Sequence, residues 1–129
     1  MHKVILFLFL ATASLVAKAD WSNIYSDENF SIFADTSTIS KNGNLVKMWS
    51  LYDFKAAQVI ATSKESQSET WQKEFDCQLK KFRPLHMTLF PENMGKGTAI
   101  RINDEVGNWT PIQTDSLNEI EWKVSCGKK

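Results

Sequence analysis

The stretch from Trp71 to Arg83 constrains the fold more than any other part of this chain. Trp71, Phe75, Cys77 and Leu79 occupy odd positions, while Gln72, Glu74, Asp76, Gln78 and Lys80 occupy even ones, and Lys73 is the single break on the apolar side. Side chains of a strand alternate between faces, so this period of two predicts a half-buried strand with Cys77 directed inward. Cys126 is the only other cysteine. A bridge between the two would tie the middle of the chain to its last element.

That bridge depends on compartment. Met1-His2-Lys3, an apolar run from Val4 to Val16, and Ala17-Lys18-Ala19 with small residues at the cleavage positions read as a secretory leader cut after Ala19. The run holds about 13 residues, short of the roughly 20 that a spanning helix needs. No cysteine stands near the cut, so the lipid acceptor of a bacterial lipoprotein is missing. The expected product is exported, periplasmic or at the cell surface, with no lipoprotein anchor. In an oxidising compartment two cysteines point to a disulfide, and only Cys77–Cys126 is available. Closing a loop of about 50 residues stabilises a fold by roughly 4 kcal/mol on chain entropy.

Residues 20–129 make one domain of ordinary size after residues 1–19 leave. The 15 Lys and Arg balance the 15 Asp and Glu, and loss of Lys3 and Lys18 with the leader leaves the remainder slightly acidic. A general nucleic-acid binder would be markedly basic, so that class is set aside.

The remaining pattern is mostly β. Trp21–Ser26 and Asn29–Asp35 read as strands around an Asp27-Glu28 turn, with Thr36–Ser40 continuing the second. Asn42-Gly43 marks a tight hairpin. Leu45–Phe54 follows as a strand apolar on both faces, which predicts cover on both sides. Ala57–Thr62 reads as a further short strand, and Ser63–Glu69 as a polar loop with nothing to bury. Pro84 cannot donate to a ladder and predicts a bulge or bend before Leu85–Phe90 resumes. Pro91–Gly97 reads as a loop and Thr98–Asn103 as a last strand. Ser116 and Glu119 have capping-box spacing, Leu117, Ile120 and Val124 recur at helical spacing, and Gly127 is a stop. An amphipathic helix over 116–125 is expected, its apolar side on the sheet. The fold class is therefore α+β: an antiparallel sheet of about six strands, one C-terminal helix packed on it and one disulfide.

Candidate chemistry is sparse. His86 is the one histidine outside the leader, and a small periplasmic enzyme would have to pair it with a carboxylate such as Asp53 or Asp76. Two cysteines and one histidine make no metal-ligand spacing, so no metal or cofactor is expected. Met94-Gly95-Lys96-Gly97 lacks the Lys-Ser/Thr pair of a phosphate-cradling loop. Asn29-Phe30-Ser31 and Asn108-Trp109-Thr110 match the N-glycosylation pattern. Lys80, Lys81 and Arg83 form a basic cluster suited to an acidic partner, or else a solvated edge that discourages aggregation. Trp21, Trp49, Trp71, Trp109 and Trp122 are core fillers, with one or two available as contact anchors.

Taken together, Trp49–Lys55, Glu74–Cys77, Arg83, Met94–Gly97, Trp109, Pro111, Ser116 and Trp122–Cys126 resemble the surface-adhesin protein E family of Gram-negative bacteria. The likeness runs through nearly all of residues 20–129. It implies a small antiparallel sheet crossed by a C-terminal helix, a cysteine pair and dimers. It also implies binding to host extracellular-matrix or serum proteins such as vitronectin and laminin. The leading expectation is an exported, non-catalytic protein-binding module. The alternatives are a periplasmic structural or envelope-assembly protein and, behind it, the His86 enzyme.

Overall fold

The computed structural model describes residues 19–60 and 64–129, so residues 1–18 of the expected leader lie outside the described residues, as do positions 61 and 62 of the expected 57–62 strand and position 63 of the expected loop. The strands are β1 (Ser22–Ser26), β2 (Phe30–Asn42), β3 (Leu45–Ile60), β4 (Lys64–Asp76), β5 (Lys81–Phe90), β6 (Arg101–Asn103) and β7 (Thr110–Pro111). The helix α1 spans Leu117–Cys126. All pairings are antiparallel, and β1 to β6 lie side by side in chain order, with β7 joining β5 beyond the end of β6. The fold is α+β, with the expected Cys77–Cys126 disulfide and a hairpin whose two-residue loop is Gly43-Asn44, one position past the expected Asn42-Gly43, because Asn42 still pairs with Leu45 and only Gly43 takes positive φ.

Two faces follow from the pairing. Ser50 and Tyr52 bond to the helix, so residues of the same parity and their cross-strand partners share its side. Ile32, Ala34, Val46, Met48 and Phe75 form the core there. On the other face the loop after β5 closes over β3 and β4. Met94 N–H donates to Asp53, Gly95 N–H donates to the Ser68 hydroxyl, and Gly95 lies against Leu51 and Thr70. Cover on both sides of β3 is thus supplied by the helix and by this loop.

Several local expectations change. The central strand ends at Asp76, and residues 77–80 are a turn that Asp76 stabilises by accepting from the N–H groups of Gln78 and Leu79. Cys77 therefore reaches the helix from a turn rather than a strand, and Leu79 is 61% exposed. Residues 64–69 are not a loop but the start of β4. Ser66 and Ser68 are wholly buried there, their hydroxyls donating to the carbonyls of Ser68, Phe90 and Glu92. β3 runs unbroken to Ile60, with its irregularity between Asp53 and Gln58. β6 is confined to Arg101–Asn103, and β7 is an added strand. The irregularity that Pro84 predicts is present: the ladder skips Leu85, pairing Gln72 with His86 and Lys73 with Pro84.

The helix has the expected ends. The Ser116 hydroxyl accepts from Glu119 N–H, although the Glu119 carboxylate reaches back to the N–H of Asp115 rather than of Ser116. Gly127 follows with φ of 67°, where its N–H reaches Val124 O and that of Lys128 reaches Lys123 O. Its buried side is unexpected. Leu117, Ile120 and Val124 are only half-buried, whereas Glu119, Glu121 and Ser125 are buried.

Candidate functional site

Glu121 is wholly buried, and burying a carboxylate is tolerable only when a cation and hydrogen-bond donors surround it. The sheet supplies them. Ser50 Oγ donates to Oε1, Tyr52 OH donates to Oε2, and Lys73 Nζ stands 2.7 Å from Oε2. Lys73 is 6% exposed and commits all three of its donors, to Glu121, Tyr52 OH and Asn118 Oδ1. The rings of Tyr52, Trp71 and Phe82 surround the ammonium at 4.9, 5.5 and 5.8 Å. Burial first, and then the Glu121 charge, push the Tyr52 phenol far above its ordinary range, so it remains a neutral donor.

Lys73, with Glu121 wholly buried behind it, stands in the wall of a groove of about 590 Å³ beside the first turn of α1. Tyr52, Trp71, Phe82, Pro84 and Leu117 give it apolar surfaces, and Asn108, Thr110 and Asn118 give it polar ones. Gly107 sits against the Pro84 ring, donating its N–H to Pro84 O. A Cβ at Gly107 would come within 2.6 Å of that ring, so only glycine lets the 107–110 segment lie this close. Glu69 also lines the groove and accepts from the Trp71 indole. Large concave sites with aromatic walls and a few fixed polar groups are suited to binding.

The residues singled out from sequence are dispersed. Lys80 is paired with Glu119 on the helix and lies near the Trp122 ring. Arg83 is paired with Glu74 and stacks on Trp109, its guanidinium carbon 4.6 Å from the ring centroid. Among the described residues, Lys81 has no ion-pair partner. The three cations therefore do not converge into one open patch. His86 contacts the carboxylate of Asp104, the Thr88 hydroxyl and the edge of Trp49. Asp53 instead holds the loop at Asn93 and Met94, and Asp76 holds the 77–80 turn, so neither is the carboxylate beside His86. Among the described residues no group of His, Cys, Asp and Glu is arranged to hold a metal, and no helix is long and apolar enough to cross a membrane.

Sequence reasoning missed the Lys73–Glu121 pair, yet both signals were present. Lys73 breaks the inward side of its strand, and Glu121 stands four residues after Leu117 and three before Val124, within the apolar stripe of its helix. Two polar exceptions of opposite charge on two inward faces are the signature of a buried ion pair.

Fold and groove define a class: a small disulfide-closed α+β domain with an antiparallel sheet, a C-terminal helix locked onto it by an internal ion pair, and an aromatic groove between them. Residues 21–127 match the family model described as surface-adhesin protein E. The chain belongs to that family. Solved structures of Haemophilus influenzae protein E share the fold. One superposes with a TM-score of 0.64 at 12% identity, over 85% of this chain and 86% of that one. A second, in crystal form II, gives 0.63 at 9% identity, over 81% of this chain and 91% of the other. A comparison with curated proteins finds no match.

Proposed function

We propose that this protein is an exported, non-catalytic binding module that engages a protein partner through the groove beside α1. Host extracellular-matrix or serum proteins are the partner class that the family suggests. The observation that carries this reading is the saturation of Lys73 and Glu121. Every donor of the lysine is committed within the chain, and the wholly buried Ser50 hydroxyl donates to the carboxylate. What remains for a partner is chiefly aromatic and amide surface, with the Glu69 carboxylate beside Trp71 and the Thr110 hydroxyl at its margin, the composition of a contact anchor. Outside the groove, Lys81 on β5 is offered as a cation to an acidic partner, with Lys80 and Arg83 available to it only at the expense of Glu119 and Glu74.

Two experiments test the reading. Protease treatment of intact cells of the native host is expected to cleave the protein. Protection until the outer membrane is opened rules out the surface adhesin and leaves a periplasmic partner. Immobilised matrix and serum proteins are expected to retain the purified domain and to lose it, by tenfold or more in Kd, on Trp71→Ala or Phe82→Ala. Near-UV circular dichroism confirms that each variant is folded, and unchanged binding by both folded variants removes the groove from the proposal. The dimer implied by family resemblance is checked by sedimentation at two concentrations.

A further inference from the structure

On the face away from the helix lies a second buried acid that the groove does not use. Asp35 is 4% exposed on β2, paired in register with Trp49. Its Oδ1 accepts from the backbone N–H and the hydroxyl of Ser37, and its Oδ2 accepts from the backbone N–H of Asp20 at 3.1 Å. Among the described residues no lysine, arginine or histidine is paired with it. A buried carboxylate served only by neutral donors is incompletely compensated, and the group closest to completing it is the nitrogen of Asp20.

Asp20 is the residue that follows the expected leader cut. Hydrolysis of the Ala19–Asp20 peptide bond consumes one water: the hydroxyl goes to the Ala19 carbonyl, and the freed nitrogen takes protons to become an α-ammonium. Near neutral pH that group is cationic, with an ordinary pKa of about 8. The nitrogen that donates as a neutral amide in the precursor would then donate as a cation, in a bond roughly twice as strong.

We infer that Asp35 is the receptor for the mature N-terminus. Leader removal at Ala19–Asp20 creates the cation that completes the buried Asp35 site, so the processed chain is held more firmly than the same domain carrying any residue before Asp20. Trp21, Thr38 and Trp49 line the hollow around the contact. This inference rests on the exported reading for its cleavage step, and the experiment keeps the two separable.

Intact mass of the protein recovered from the native host reads the first step alone. A first residue other than Asp20 overturns the inference, while a chain beginning at Asp20 sends it to a stability cycle. Oxidised domain beginning at Asp20 is compared with domain carrying an added Gly-Ser before Asp20, each with Asp35 and with Asp35→Asn. The extension is expected to lower the folding equilibrium constant about five- to tenfold with Asp35 present and to change it little in Asp35→Asn. An equal penalty in both backgrounds, or none in either, overturns the inference without touching export. If Asp35→Asn does not fold, the α-amine of the unaltered domain is acetylated under native and denaturing conditions. Protection in the native state, relative to exposed lysines, is expected, and labelling at the denatured rate overturns the inference.

Discussion

At the level of single residues, the domain is governed by charges that its interior neutralises one partner at a time. Removing one member of a buried pair leaves the other uncompensated, which costs about 3–5 kcal/mol, whereas replacing both by apolar residues of similar volume is often neutral or better. Lys73→Met is therefore expected to shift the urea midpoint strongly downward, and Lys73→Met/Glu121→Leu to recover most of the loss. A double variant no more stable than the single one would show that Ser50 and Tyr52, which also serve Glu121, dominate the site. Glu119 makes a different prediction. The Lys80 ammonium that donates to it, and then the N–H of Asp115, hold its carboxyl below the ordinary value. A depressed folded value means the contribution is present above the unfolded pKa of about 4.3 and is lost as pH falls through the folded one. Between pH 6 and pH 3 the midpoint should fall less for Lys80→Met than for the parent. Identical slopes would remove Lys80 as the cause.

The elements show why some segments announced themselves and others did not. The helix was legible because its signals are local: the Ser116 cap, the i, i+3, i+4 pattern and the Gly127 stop all lie within a dozen residues. Ser116→Ala should cost about 1 kcal/mol. Gly127→Ala, at a left-handed position where nothing crowds a Cβ, should also cost about 1 kcal/mol through backbone strain alone. Thermal denaturation of the two variants checks both. The start of β4 was illegible for the opposite reason. Lys64-Glu65-Ser66-Gln67-Ser68 is polar, and Ser66 and Ser68 are buried only because the carbonyls of Phe90 and Glu92, about two dozen residues later, accept from them. The early end of the central strand has a local cause that alternation does not report. Asp76 gathers two N–H groups of the following turn, so Cys77 and Leu79 leave the ladder despite their parity.

For the molecule as a whole, the disulfide fastens the C-terminal end of the helix and the buried ion pair its middle. Cys126 joins Cys77 across 49 positions, Trp122 Nε1 donates to Asp76 O beside it, and Glu121 and Asn118 meet Lys73 nearer the groove. Replacing both cysteines by serine should lower stability by about 4 kcal/mol, read as a urea midpoint matching that of the reduced parent. Weaker partner binding by such a variant, with folding confirmed, would mean that the groove depends on a firmly seated helix. The alternating strands, the hairpin at Gly43, the Pro84 irregularity, the capped helix and the single possible cysteine pairing could all be read from the chain, because each is set by neighbours in sequence or by elimination. Which polar exceptions meet was decided only in three dimensions. Lys73 on the sheet and Glu121 on the helix each look like a flaw in its own stripe, and a buried charge becomes stable only through a partner that folding brings across space. The groove, Asp20 against Asp35, and the separate pairings of Lys80 and Arg83 have the same origin: each needs two distant segments in one place, which local periodicity does not encode.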